Sequence, residues 1–253
     1  MSPRKPPKPA LKKVILEIRY KPDLGFYDRL MPAAQAFTDE YPHWQTSRLA
    51  VSLRDWDNRC SQAIRHNRFS YEQDSDNVEL EKERIDLVLD RLPKALEVET
   101  ALRFGYRRRY LVEVNMELGA LVEVINTKLF SQDERLLKVL PRTVTDLMYR
   151  LDLKDDDGAS YHLTLGPVQG AEAANYVVFN REQHLDPDTA QGDYADLVAA
   201  YPSVALFIDI DYYRFDEDIP LSEAKTFVEK ARETTHKLAV DLTQVVLSTQ
   251  VDG

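Results

Sequence analysis

The sequence predicts an α+β protein, in which a curved antiparallel sheet, or two related sheets, carries long helices on one face in a helix-grip-like arrangement. Several short segments alternate apolar and polar residues with the period of two that is typical of strands. Other segments repeat apolar residues at the three- to four-residue spacing of a helix. The strands come in runs, each followed by a long helix, and this order disfavours a parallel doubly wound sheet.

The first half of the chain contains one such run. Alternation predicts short strands over residues 14–20, 48–54, 60–65 and 68–72. The last two flank His66-Asn67, which suits a hairpin turn. Helical spacing predicts helices over residues 24–40 and 78–92, and Ser75, Asp76 and Asn77 are suitable caps for the second. Residues 96–115 are strand-like, whereas 118–130 fit a strand or a helix.

The second half repeats the pattern. Strands are predicted over residues 144–154, 161–165, 176–179 and 204–214. Residues 182–203 are rich in Asp, Gln, Gly and Pro and predict a long loop with a short helix around 194–200. A last helix is expected to end near Ser248. We therefore divide the chain into a flexible, basic, Pro-rich tail (1–12) and a single α+β domain (13–253), with possible sub-repeats 13–140 and 141–250.

Composition limits the class of protein. The chain has 253 residues, of which 43% are hydrophobic, and this length can bury a large core without disulfides or metals. Cys60 is the only cysteine, so an intramolecular disulfide and a cysteine zinc site are excluded. The chain has neither a secretory signal nor an apolar run long enough to span a membrane. We expect a cytoplasmic protein.

Charge is unevenly distributed. The net charge is −10, but residues 151–253 hold 20 acidic against 7 basic residues, a net −13, and residues 1–150 carry +3. The acidic half keeps the protein soluble and repels polyanions, whereas the first half has local basic patches. Two surfaces of opposite charge are suited to docking.

An arginine block is the first candidate binding site. Arg103, Arg107, Arg108 and Arg109 are interleaved with aromatic residues, and on a strand Arg108 points away from the other three. Guanidinium groups match phosphates and carboxylates, so such a face suits single-stranded nucleic acid or another anionic partner. The simpler interpretation, which we favour, is that these arginines pair with the acidic second half.

An acidic pair is the second candidate. Asp209 and Asp211 share one face of a predicted strand, as carboxylates do in hard-cation sites and glycosidases. The flanking residues lack the pattern of a calcium loop, so we favour pairing with basic neighbours such as Arg107 or Arg214.

Other catalytic motifs are missing from the sequence. It has no phosphate-binding loop, no GxGxxG, no GxSxG and no histidine pair at metal-ligand spacing. Cys60 looks like a small hydrophobic residue rather than a nucleophile. The sequence therefore predicts a protein that is not an enzyme, with no cofactor and no metal.

Four segments in order carry a resemblance to a known family. They are Val14–Pro22, Arg65–Tyr71, Leu102–Arg107 and Leu206–Arg214, the last followed by the long terminal helix. Together they resemble a sporadically distributed bacterial family of uncharacterised proteins of this same length. The resemblance implies an accessory bacterial gene, of the kind found in mobile elements, toxin–antitoxin loci or phage defence, and implies no active-site residues.

These observations lead to one functional expectation and two alternatives. We expect a non-enzymatic recognition module, a sensor or adaptor that binds a protein partner encoded nearby, in a bacterial accessory system such as antiviral defence. The first alternative is a hydrophobic small-molecule or lipid site between sheet and helix, lined by five aromatic rings, Phe69, Tyr71, Phe207, Tyr212 and Tyr213. The second, less favoured, is nucleic-acid binding through the basic tail with Lys5, Lys8 and Lys12, the adjacent Lys13, and the Arg103–Arg109 strand.

Overall fold

A computed structural model describes residues 7–129, 144–177, 196 and 198–248 of the chain. In these residues nine antiparallel strands form one curved sheet, and five α-helices pack against it. The predicted α+β class, with a curved antiparallel sheet and long packed helices, is therefore confirmed. No helix in the described part of the chain combines the length and apolarity needed to cross a bilayer.

The elements follow the chain in two similar series. The strands of the first series are β1 (Ala10–Arg19), β2 (His43–Ser47), β3 (Ala50–Asp55), β4 (Cys60–Arg65) and β5 (Arg68–Gln73). Its helices are α1 (Phe26–Gln35) and α2 (Val78–Leu96). The second series has strands β6 (Thr100–Glu113), β7 (Tyr149–Lys154), β8 (Ser160–Gln169) and β9 (Val204–Pro220). Its helices are α3 (Leu118–Leu129), α4 (Gly170–Val177) and α5 (Ala224–Leu247).

The strand order is symmetrical about the centre of the sheet. It runs β2-β3-β4-β5-β1-β6-β9-β8-β7, so the first strands of the two series, β1 and β6, are antiparallel neighbours. In each series the last strand returns beside the first and leads into a long helix, α2 or α5. The two series therefore meet between Leu96 and Thr100, inside the first of the two possible sub-repeats named in the sequence analysis.

The hydrophobic core lies between the sheet and four of the helices, α1, α2, α3 and α5. Val14, Leu16 and Ile18 of β1 alternate onto this face, and the neighbouring strands supply aromatic rings such as Phe69 and Tyr106. We call this the helix face. Because side chains alternate along a strand, the residues between them lie on the other side of the sheet, which we call the open face.

One helix lies on the open face. Leu111, Val168, Ala205 and Phe207 alternate with core residues of their strands, and they form a separate apolar cluster with Ala173 of α4. Helix α4, which is short, therefore covers one end of the open face, whereas the long helices pack on the helix face, as expected. The rest of the open face carries mainly polar and charged residues.

Several boundaries differ from the prediction. Strand β1 begins at Ala10, so residues 10–12 of the expected tail belong to the sheet, and Lys13 is fully buried against Glu72 and Asp74. Within the ambiguous segment 118–130, residues 118–129 form α3. The prediction of a strand over residues 176–179 is wrong for residues 176 and 177, which form the end of α4.

Two further segments also bear on the prediction. Strand β2 was missed, because all of its residues are exposed and they show no apolar alternation. Residues 1–6 and most of the predicted loop 182–203 lie outside the described residues.

A buried ion cluster joins the two halves on the helix face. The Glu81 carboxylate of α2 is fully buried and accepts hydrogen bonds from the Tyr106 hydroxyl, from Arg108 Nη2 at 2.6 Å and from Arg232 Nε at 2.9 Å. Arg108 lies on β6 and Arg232 on α5, so one carboxylate links three elements. Burial, and then the nearby Glu81 charge, raise the pKa of the Tyr106 phenol, so Tyr106 remains a donor.

We expect Glu81→Ala to lower the free energy of unfolding by about 3–5 kcal/mol, because it leaves two guanidinium groups without their buried counter-ion. Urea unfolding followed by circular dichroism measures this change. Glu79→Ala, an exposed position in the first turn of the same helix, is the matched control and should change the value by less than about 1 kcal/mol. Equal effects of the two substitutions would contradict a central role for Glu81.

We expect Cys60 to resist alkylation in the native protein and to react once the protein is unfolded. Its side chain is fully buried, and burial, with the nearby Asp55 charge, raises the thiol pKa to about 12. Because the folded state holds the thiol proton more tightly, this group does not alter stability at neutral pH and lowers it as pH rises from about 8.5 towards 12. Iodoacetamide labelling with and without urea checks this, and fast native labelling would contradict it.

Candidate functional site

Four arginines stand side by side across the open face. Arg65 lies directly opposite Arg68, Arg68 opposite Arg19, and Arg19 opposite Arg103. Adjacent strands are about 4.8 Å apart, so this arginine row, made of Arg65, Arg68, Arg19 and Arg103, crosses four strands over about 14 Å. Only Arg103 belongs to the block that the sequence analysis singled out.

One carboxylate serves three members of the row. This carboxylate is Glu17, which lies two residues before Arg19 on the same face of β1. Its Oε1 accepts from Arg19 Nε at 2.7 Å and from Arg103 Nη1 at 2.9 Å, and its Oε2 lies 3.3 Å from Arg68 Nη1. The single negative charge of Glu17 therefore faces three positive charges, of which only Arg103 has a second carboxylate partner among the described residues, Asp211. The row keeps an excess of positive charge on the surface of an acidic protein.

Gly105 makes the position of Arg103 possible. A Cβ atom at Gly105 would lie 2.2 Å from Arg103 Nη1, so a side chain there would displace the guanidinium. In its observed place the Arg103 guanidinium lies over the Tyr213 ring, 5.0 Å from the centroid, and donates to both Asp211 oxygens at 3.1 and 2.9 Å. Burial raises the pKa of Asp211, and the charge of Arg103 opposes this shift.

Asp209 holds the other two open-face arginines of the block. It accepts from Arg107 through both of its oxygens and from Arg109 Nε at 3.1 Å, and it is nearly fully buried. The favoured interpretation of the acidic pair is thus confirmed for Arg107, whereas Arg214 pairs with Glu223 instead. Guanidinium groups occupy the Asp209 and Asp211 oxygens, and the described residues contain no cluster of three His, Cys, Asp or Glu side chains suited to a metal ion.

Arg108 does not belong to this surface. The expected alternation is observed, and it places Arg108 on the helix face, where it is only 4% exposed and bonded to Glu81. Arg108 was therefore wrongly included among the candidate anion- or partner-binding residues. Its role is in the buried ion cluster.

Two large clefts open on this face. One, of about 540 Å³, lies at the α4 end beside Arg107, Arg109, Arg150 and His162. The other, of about 520 Å³, lies at the β2 end and is lined by Arg54, Arg65 and Arg68, together with polar residues of the β2–β3 and β4–β5 hairpins. The first cleft also contains Asp152 and Asp209, whereas no acidic residue of the described chain lines the second.

The aromatic rings that were candidates for a hydrophobic ligand site lie in three different places. Phe69, Tyr71 and Tyr212 are fully buried on the helix face, whereas Phe207 lies in the apolar cluster beneath α4 and Tyr213 beside Arg103. These five rings therefore do not line one cavity.

The basic tail is only partly described. Among the four N-terminal lysines, Lys8 is exposed, Lys12 lies over the Tyr201 ring at 5.7 Å, Lys13 is buried in ion pairs, and Lys5 lies outside the described residues.

Sequence reasoning missed most of the arginine row. Arg19, Arg65 and Arg68 lie far apart in the chain, and only the antiparallel register brings them together with Arg103. One signal was available. Arg65 and Arg68 flank the predicted His66-Asn67 turn, and the two residues that flank a two-residue turn face each other across the hairpin.

Comparisons with known proteins find structural likeness but no match in sequence. No family model matches the chain, and no curated protein matches it. Among solved structures, the chain is similar to Methanococcus jannaschii TBP, with 8% sequence identity and a TM-score of 0.28, and the match covers 94% of this chain and 99% of that one. At this TM-score the likeness says nothing about function.

We expect Asp209→Ala to lower the free energy of unfolding much more than Arg65→Ala does. Asp209→Ala should cost about 3 kcal/mol, because Arg107 and Arg109 lose a buried partner, whereas Arg65→Ala should stay within about 0.5 kcal/mol of the parent. Urea unfolding of both variants tests this. A large loss in Arg65→Ala would mean that the row stabilises the fold rather than presenting charge.

Proposed function

We propose that the protein is a non-enzymatic recognition module that binds a protein partner on the open face of its sheet. The arginine row carries this proposal. Like charges directly opposite one another on neighbouring strands destabilise a sheet, and here this happens at three successive pairs. Arrangements that cost stability are retained mainly at functional sites.

The two faces of the sheet carry different kinds of residue, and this difference supports the same proposal. The helix face carries the core and the buried ion cluster, so it has a structural task. The open face contributes polar groups, clefts and charge, and its central arginines are held in place by Glu17, Asp209 and Asp211. Fixed guanidinium groups lose little conformational freedom on binding, and this favours recognition.

The family resemblance extends the proposal. It suggests a bacterial accessory system, such as phage defence or a toxin–antitoxin-like locus, in which this module acts as sensor or adaptor for a protein encoded nearby. The asymmetry of charge between the faces and halves of the molecule suits such docking.

Photo-crosslinking in the protein's native cells tests the proposal. We would place p-benzoylphenylalanine at Ser70, between Arg68 and Glu72 on the open face, or at Glu233, which is exposed on α5. We expect a discrete, protease-sensitive adduct from Ser70 alone, and we expect Arg68→Glu to abolish it. Adducts from Glu233 alone, a nuclease-sensitive adduct, or no adduct from either position would contradict the proposal.

A further inference from the structure

We propose that the arginine row is the docking site for a short, carboxylate-rich segment of the partner protein. This inference rests on the proposed function and names the chemistry that the open face recognises. The site comprises the row together with the 520 Å³ cleft at its β2 end.

The first argument is unmet charge. Within the described residues, Arg65 and Arg54 have no acidic partner, and Arg54 donates only to Gln45 Oε1 at 3.0 Å. Glu17 is shared among the remaining three arginines. An incoming carboxylate would therefore find guanidinium donors that no acid of the described chain satisfies, and each can offer two parallel N–H groups to it.

The second argument is accessibility. Arg19 and Arg68 have 48% and 33% of their side-chain surface exposed, so they can be reached from solvent. Arg103 is less exposed, because its ion pairs with Glu17 and Asp211 hold its side chain against the sheet. The row ends in the cleft, where Arg54, Arg65 and Arg68 converge. Alternate side chains of an extended peptide lie about 7 Å apart, so two or three carboxylates fit within the roughly 14 Å of the row.

The third argument selects a peptide rather than a nucleic acid. Glu17 lies inside the row, and Asp216, Glu217 and Asp218 are exposed just beyond Phe215, the residue opposite Arg103. A nucleic-acid strand carries a phosphate at every nucleotide and would be repelled at these positions. A peptide can place neutral residues there, so the acidic neighbours act as a filter against uniform polyanions.

Fluorescence anisotropy with two labelled probes tests this assignment. The probes are a decapeptide in which glutamate alternates with serine, so that neutral residues can face the acidic neighbours, and a single-stranded thymidine decanucleotide, each titrated with the full-length protein at low ionic strength. We expect the peptide to bind more tightly than the oligonucleotide, and Arg65→Glu and Arg68→Glu each to weaken peptide binding about tenfold, as expected for one lost charge-assisted contact. Lys82→Glu, the same change of charge at an exposed position of α2, should leave binding within about twofold of the parent.

Gly105→Ala provides a test that changes no charge. The new methyl group would displace the end of the flexible Arg103 side chain from Glu17 and Asp211, so we expect weaker peptide binding by a protein that remains folded by circular dichroism. This variant keeps the proposal falsifiable if a charge reversal unfolds the protein.

Three results would overturn the inference: no peptide binding by the parent protein, tighter binding of the oligonucleotide, or an equal loss in Lys82→Glu. If any of these occurs while Ser70 still crosslinks to a protein, the arginine row is the wrong site and the recognition module stands. If the peptide binds and no crosslink forms in cells, the proposed function fails instead.

Discussion

The antiparallel pairing of β1 with β6 is the contact on which the rest of the structure depends. It joins the first strands of the two halves and so makes one continuous sheet of nine strands. Its register brings Arg19 opposite Arg103 and Glu17 opposite Gly105, and this arrangement builds the centre of the arginine row. A shift of one residue would move these groups to the helix face, where charge has no water, so the fold and the candidate site depend on the same register.

The helix face opposes such a shift. Glu81 of α2 reaches across to Arg108 of β6 and to Arg232 of α5, so the long helix of each half contacts the same buried cluster. A buried ion pair is expensive to misplace, because any other register leaves charges unpaired away from water. Arg108, which resembles its neighbours in the sequence, thus belongs to the fold, and Arg103 belongs to the surface.

The arginines of the open face also fall into two groups, those held by internal carboxylates and those with fewer partners. Arg107 and Arg109 are held by Asp209, so the preference for internal pairing was correct for them. Arg103 is held by Glu17 and Asp211, but its neighbours across the sheet have fewer partners. The charge available for binding therefore lies at the β2 side of the open face, where three arginines meet in a cleft.

Local sequence pattern by itself determined the α+β class, most strands and the long helices, because alternation and helical spacing are properties of neighbouring residues. It also separated Arg108 from Arg103, Arg107 and Arg109, and it predicted a cap for α2, where Asn77 accepts from the Leu80 backbone N–H. Only the tertiary structure decided the symmetry about β1 and β6, the position of α4 and the arginine row. These depend on which distant strands pair and in what register, and that is set by packing across the whole sheet rather than by any short segment.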